Sequence, residues 1–102
     1  MKTIDLALLG FGNVGKAFAR LLTAKKQELQ EHFGFNPRIT AIATGSHGVC
    51  LDPSGVDDQY LLNLLESEEP LELSVLDKMA FKGDMFDFIR QAPAQVLIET
   101  TP

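Results

Sequence analysis

Gly10-Phe11-Gly12-Asn13-Val14-Gly15 is the feature of this chain that leaves the fewest folds open. It reads G-x-G-x-x-G. Residues 3–9 (TIDLALL) precede it as a short, nearly continuous apolar run, which suits a strand buried in a parallel sheet. From Asn13 to Phe33 the period changes. Val14, Ala17, Phe18, Leu21, Leu22 and Leu29 recur at helical spacing, while Lys25, Lys26, Gln27 and Glu28 face outward. Gly34 ends the predicted helix and Pro37 follows. In a strand, glycine turn and helix of this kind each glycine has a task. Gly10 makes the tight turn, Gly12 lets the backbone approach a phosphate, and Gly15 lets the helix pack closely on the strand. Main-chain N–H groups around Asn13 and Val14 then donate to phosphate oxygens, helped by roughly half a positive charge from the helix dipole. The motif alone is weak, and its place at the head of a strand-helix-strand unit is what gives it weight. It implies the pyrophosphate of a nicotinamide dinucleotide. A Walker A loop is excluded, because no Gly-Lys-Ser/Thr closes the motif.

The rest of the chain fits the same plan. Residues 38–44 (RITAIAT) predict a second strand. Residues 45–56 hold three glycines and a proline and are expected to be a loop. Asp57 is placed to cap a second helix with Tyr60, Leu61, Leu64 and Leu65 on its apolar face. Residues 66–76 are ambiguous, with Pro70 preventing one continuous helix. Residues 84–91 read as a short third helix and 94–100 as a third strand. The order β-α-β-α-(α)-β has crossovers long enough for parallel strands. The expected fold is α/β and Rossmann-like: three layers, a mainly parallel sheet, and strand order 2-1-3 over residues 1–102 as one NAD(P)-binding domain. The strand at 94–100 would then have one unpaired edge, a surface that promotes self-association.

Bulk properties exclude some functions. A chain of 102 residues suffices for one small domain. A net charge of −5 with scattered Lys and Arg argues against nucleic acid or an anionic membrane as partner. No apolar stretch approaches the roughly 20 residues of a membrane span. Asp5 and the glycines interrupt any signal-peptide core, and Cys50 is alone, so a cytoplasmic protein is expected.

At the end of the second strand, a carboxylate would grip the adenosine ribose and repel a 2′-phosphate. Thr44-Gly45-Ser46-His47 stands there instead, with neither carboxylate nor arginine, so the cofactor is left as NADP or NAD. Ser46 and His47 can hydrogen-bond a 2′-phosphate, and His47 reads equally well as an exposed loop histidine. Thr100 and Thr101 close the third strand, where ligand contacts gather in open α/β sheets, although threonines are also ordinary strand-end residues. Cys50 reads as a packing residue rather than a nucleophile. Glu66, Glu68, Glu69 and Glu72 are too irregularly spaced for a metal site, so no metal is expected.

Three blocks, ALLGFGNVGKAFARLL, ITAIATGSHGVCLDPSGVD and VLIETTP, resemble the N-terminal cofactor domain of homoserine dehydrogenase. The first block is widely shared. More specific are the T-G-x-x-G loop followed by D-P-x-G-x-D, and the strand ending V-x-I-E-x-T-P. The resemblance implies an enzyme of amino-acid biosynthesis, a homo-oligomer, interconverting aspartate semialdehyde and homoserine with NAD(P)H. Gly10, Phe11, Gly12, Asn13, Val14 and Gly15 would hold the pyrophosphate. Thr44, Ser46 and His47 would lie toward the adenosine ribose, and Thr100 and Thr101 toward the nicotinamide. It also implies that the substrate and catalytic domain lies outside this chain, so no catalytic residue is assigned and the chain alone is expected to be inactive. The alternatives are the cofactor domain of another semialdehyde or amino-acid dehydrogenase, or a non-catalytic nucleotide-sensing module.

Overall fold

The apolar run before the glycine turn becomes strand β1, Lys2–Leu9. After it come helix α1, Asn13–Phe33, and strand β2, Phe35–Ala43. A short strand β3, Val49–Leu51, and helix α2, Asp58–Glu66, follow. Helix α3, Met85–Gln91, and strand β4, Val96–Glu99, complete the described elements. The computed structural model describes residues 2–44, 48–66, 73, 77–79 and 81–100.

Among the described residues the sheet has four strands, in the order β3-β2-β1-β4. β1 lies between β2 and β4 and pairs parallel with both. The expected 2-1-3 arrangement is therefore present as β2-β1-β4. The expectation of a loop over 45–56 needs correction. Val49–Leu51 turns back and pairs antiparallel with the end of β2, Ala43 opposite Val49 and Ala41 opposite Leu51. The sheet is mixed, with an antiparallel edge strand. Three residues in a glycine-rich stretch are too few to show a strand period, and Gly48 O closes the turn by accepting from Thr44 N–H at 3.0 Å.

The register of β1 and β2 shifts by one residue between Leu6 and Ala7. Leu6 faces Ile39 and Ala7 faces Ala41, which leaves Thr40 as the extra residue of a bulge. That insertion lets Ile39 and Ile42, three apart, join one core, while Ala41 and Ala43 join the other. The bulged Thr40 is fully buried, and its hydroxyl donates to Pro93 O at 2.8 Å.

The two cores explain the three layers. On one face Leu8, Ile39, Ile42 and Cys50 pack under Ala19 of α1 and Leu61 of α2. On the other, Ala7, Leu9, Ala41, Ala43 and Leu51 pack under Phe88 of α3, with Phe81 beside it. Asp57 Oδ1 accepts from Gln59 and Tyr60 N–H, as a cap to α2 should. Tyr60 does not join the expected apolar face and is 63% exposed. The side chains of Leu64 and Leu65, also placed on that face, lie outside the described residues, as does most of 67–76. Among the described residues no helix is long and apolar enough to cross a membrane.

Candidate functional site

All three parallel strands end at the glycine turn. Gly10 N–H donates to Ala43 O of β2 at 2.8 Å, and Thr100 N–H donates to Leu9 O at 2.8 Å. Gly10 has φ of 100°, a turn conformation that L side chains rarely adopt. Its carbonyl accepts from Thr100 Oγ1 at 3.0 Å, so the end of β4 is tied directly to the turn. Gly15 packs against the same atoms. A Cβ at Gly15 would sit 2.7 Å from Gly10 O and 3.0 Å from Thr100 Oγ1. The third glycine is thus required by close contact between helix and strand end.

Gly12 is a different case. Its backbone is extended, φ −83° and ψ −154°, a region open to most residues. A Cβ there would meet nothing within 4 Å. Neither conformation nor packing within this chain demands a glycine at this position, and the open space above it is a cradle that a side chain would fill.

The helix that begins there is capped differently from the other two described helices. α3 opens with a capping box: Asp84 Oδ1 accepts from Asp87 N–H at 3.0 Å and Asp87 Oδ2 from Asp84 N–H at 2.9 Å. α2 has Asp57. α1 has Gly12 at its N-cap, no side-chain cap and no acidic residue in its first turn. Its first helical hydrogen bond runs from Lys16 N–H to Gly12 O at 2.9 Å, so the N–H groups of Asn13, Val14 and Gly15 precede the helical ladder. Val14 is 67% exposed at this end, although the sequence pattern placed it on the apolar face. Phe11 instead turns its ring into the core and leaves only main chain at the turn.

Beside the turn lies a cleft of about 400 Å³, within the range of small-molecule sites. Leu9, Gly10, Ala43 and Thr44 form its strand side, Val49 its edge, and Phe81, Asp84, Met85 and Phe88 its far wall. Phe81 and Phe88 meet edge to face, with ring centroids 6.2 Å apart and planes at 83°. The sequence does not reveal the far wall: residues 84–91 read only as a short helix, and Phe81 lies outside it. The structure brings together Gly10, Thr44, Thr100 and the start of α1. Ser46, His47 and Thr101 lie outside the described residues.

Cys50 is buried in the core, and burial pushes its thiol up to about 12, so it is held protonated at neutral pH. Among the described residues no group of three or more His, Cys, Asp or Glu is arranged to hold a metal ion.

No protein-family profile matches the chain. A homoserine dehydrogenase of Methanocaldococcus jannaschii is 30% identical over 100 residues, covering 97% of this chain and 28% of that protein. The crystal structure of homoserine dehydrogenase from Thermoplasma acidophilum superposes with a TM-score of 0.64 at 22% identity, over 99% of this chain and 27% of that one. The second likeness speaks for the fold. The chain spans a little over a quarter of the length of the relatives it matches.

Proposed function

We propose that this chain, a homoserine dehydrogenase-like segment corresponding to about 28% of its relative's length, binds a nicotinamide dinucleotide and serves as the cofactor part of an enzyme interconverting aspartate semialdehyde and homoserine. The observation that carries the proposal is the uncapped start of α1 beneath Gly12, where a glycine is kept that the chain's own packing does not need. A phosphate placed there supplies the missing acceptors for the first-turn N–H groups and neutralises the positive end of the helix dipole.

The chain's residues divide the work. The main chain from Gly10 to Gly15 holds the pyrophosphate. The apolar cleft between Thr44 and Phe88 takes the adenosine half, with Ser46 and His47 assigned to the ribose side. Thr100 fixes the turn through Gly10 O, and Thr100 and Thr101 are assigned to the nicotinamide side. When bound, the dinucleotide supplies the hydride. The residues of this chain orient it and exclude water from its adenosine half.

Residues 44–47 carry no carboxylate, so NADPH is expected to bind at least as tightly as NADH. Titration of the purified chain with each, followed by nicotinamide fluorescence and calorimetry, tests the proposal. Absence of binding to both removes the assignment, and a strong preference for NADH removes the reading of the ribose loop.

A further inference from the structure

One carboxylate outside the glycine turn ties the edge strand to a residue of the cleft wall. Asp77 Oδ1 accepts from Leu51 N–H at 3.1 Å and from Met79 N–H at 3.1 Å, and Oδ2 accepts from Phe81 N–H at 2.6 Å. Lys78 N–H donates to Leu51 O at 3.0 Å. Leu51 ends the edge strand β3, whose other side pairs with β2. The outward-facing N–H and C=O of Leu51 are therefore both taken by the 77–78 segment, much as a neighbouring strand would take them. The second oxygen then fixes where the chain leaves that anchor, at Phe81, whose ring rests against Phe88 on the cleft wall.

We infer that Asp77 is a positioning residue for the adenosine half of the dinucleotide. It holds Phe81 in place as the aromatic wall against which the purine packs, without itself touching the ligand. This inference rests on the proposed cofactor site. A carboxylate suits the task because it accepts at both oxygens. An asparagine keeps one acceptor, enough for Leu51 and Met79, and turns an NH₂ group toward Phe81 N–H. Asp77→Asn thus breaks the wall bond while leaving the anchor on β3.

The experiment measures binding of NADPH, ADP-ribose and reduced nicotinamide mononucleotide to the purified chain and to Asp77→Asn, Phe81→Leu and the double variant, with folding followed by circular dichroism. Asp77→Asn is expected to weaken NADPH and ADP-ribose at least tenfold and to leave the mononucleotide unchanged. Because Asp77 acts through Phe81, the double variant should bind ADP-ribose no more weakly than the weaker single variant. Losses that add in the double variant overturn the inference. So does equal weakening of ADP-ribose and the mononucleotide, which marks a merely structural role, and so does ADP-ribose binding unchanged in Asp77→Asn. Gly12→Val separates the two readings. If it binds NADPH as tightly as the parent chain, or if the parent binds none, the site assignment falls and this inference with it. If Gly12→Val loses NADPH while Asp77→Asn keeps it, the inference alone falls.

Discussion

Two glycines three positions apart, Gly12 and Gly15, answer to different forces. Gly15→Ala puts a Cβ 2.7 Å from Gly10 O, a main-chain atom held by the ends of two strands. The helix must move away, and overpacking of this kind costs about 1–3 kcal/mol. Urea unfolding should show that loss without any ligand. A Cβ at Gly12 would meet nothing within 4 Å, so Gly12→Val should cost only the preference of an N-cap for glycine over valine, about 1 kcal/mol or less. Its dinucleotide affinity should fall at least tenfold, about 1.4 kcal/mol. Asp52 offers a test by pH. Burial raises its carboxyl, but hydrogen bonds from Ser54 Oγ and N–H, aided by the charge of Lys78, outweigh this and hold it below the ordinary 3.8. A group depressed in the folded state stabilises fully above its unfolded pKa. That contribution disappears as pH falls through the lower, folded pKa. Stability should therefore drop on acidification below about pH 4, and Asp52→Asn should make that limb shallower. An unchanged acid limb in the variant would clear Asp52 of the role.

Among the described helices, a side-chain cap opens α2 and α3, and α1, the exception, begins at the candidate site. Asp84→Ala removes the acceptor that fixes Asp87 N–H and half of the capping box, at a cost of about 1 kcal/mol. Met85 and Phe88 share the cleft wall with Asp84, so the variant should also weaken adenosine binding, which ADP-ribose titration beside urea unfolding would show. These elements differed in how far the sequence revealed them. α1 was legible to the residue, Asn13 to Phe33, because a long amphipathic period ended at a glycine. β1 and β2 were legible as apolar runs, although β2 begins at Phe35 rather than residue 38. The first residues of β2, Phe35, Asn36 and Pro37, show no apolar period and are held by pairing to β1, not by their own pattern. Asp5, the charge that argues against a signal-peptide core, lies opposite Arg38 in register and makes a two-pronged ion pair with it, at 2.8 and 3.2 Å. β3 was illegible, since its stability comes from partners distant in sequence, β2 and Asp77. The glycine half of the candidate site was readable for the opposite reason, being local. The aromatic half, Phe81 and Phe88, depends on contacts across the sheet that no spacing records.

At the scale of the whole molecule, the turn that would hold the pyrophosphate is also where the sheet is joined. β1 is the central parallel strand, and β2 and β4 both bond to its last residues through Ala43 O and Thr100 N–H. Opening the turn would release the ends of all three strands, so a ligand held there is expected to resist global unfolding and not a local motion alone. A ligand that binds only the folded state stabilises it by mass action, about 2.7 kcal/mol at a hundred times its Kd. For a domain of this size each kcal/mol raises the melting midpoint by about 4–8 °C, which makes the expected shift roughly 10–20 °C. Scanning calorimetry with saturating NADPH measures it. Gly12→Val should melt close to the parent when no ligand is present, lowered only by the weaker N-cap, and show little shift when NADPH is added. Gly15→Ala should start lower. If the NADPH-induced shift persists undiminished in Gly12→Val, the dinucleotide is held elsewhere on the molecule and the glycine turn serves only to join the sheet to its first helix.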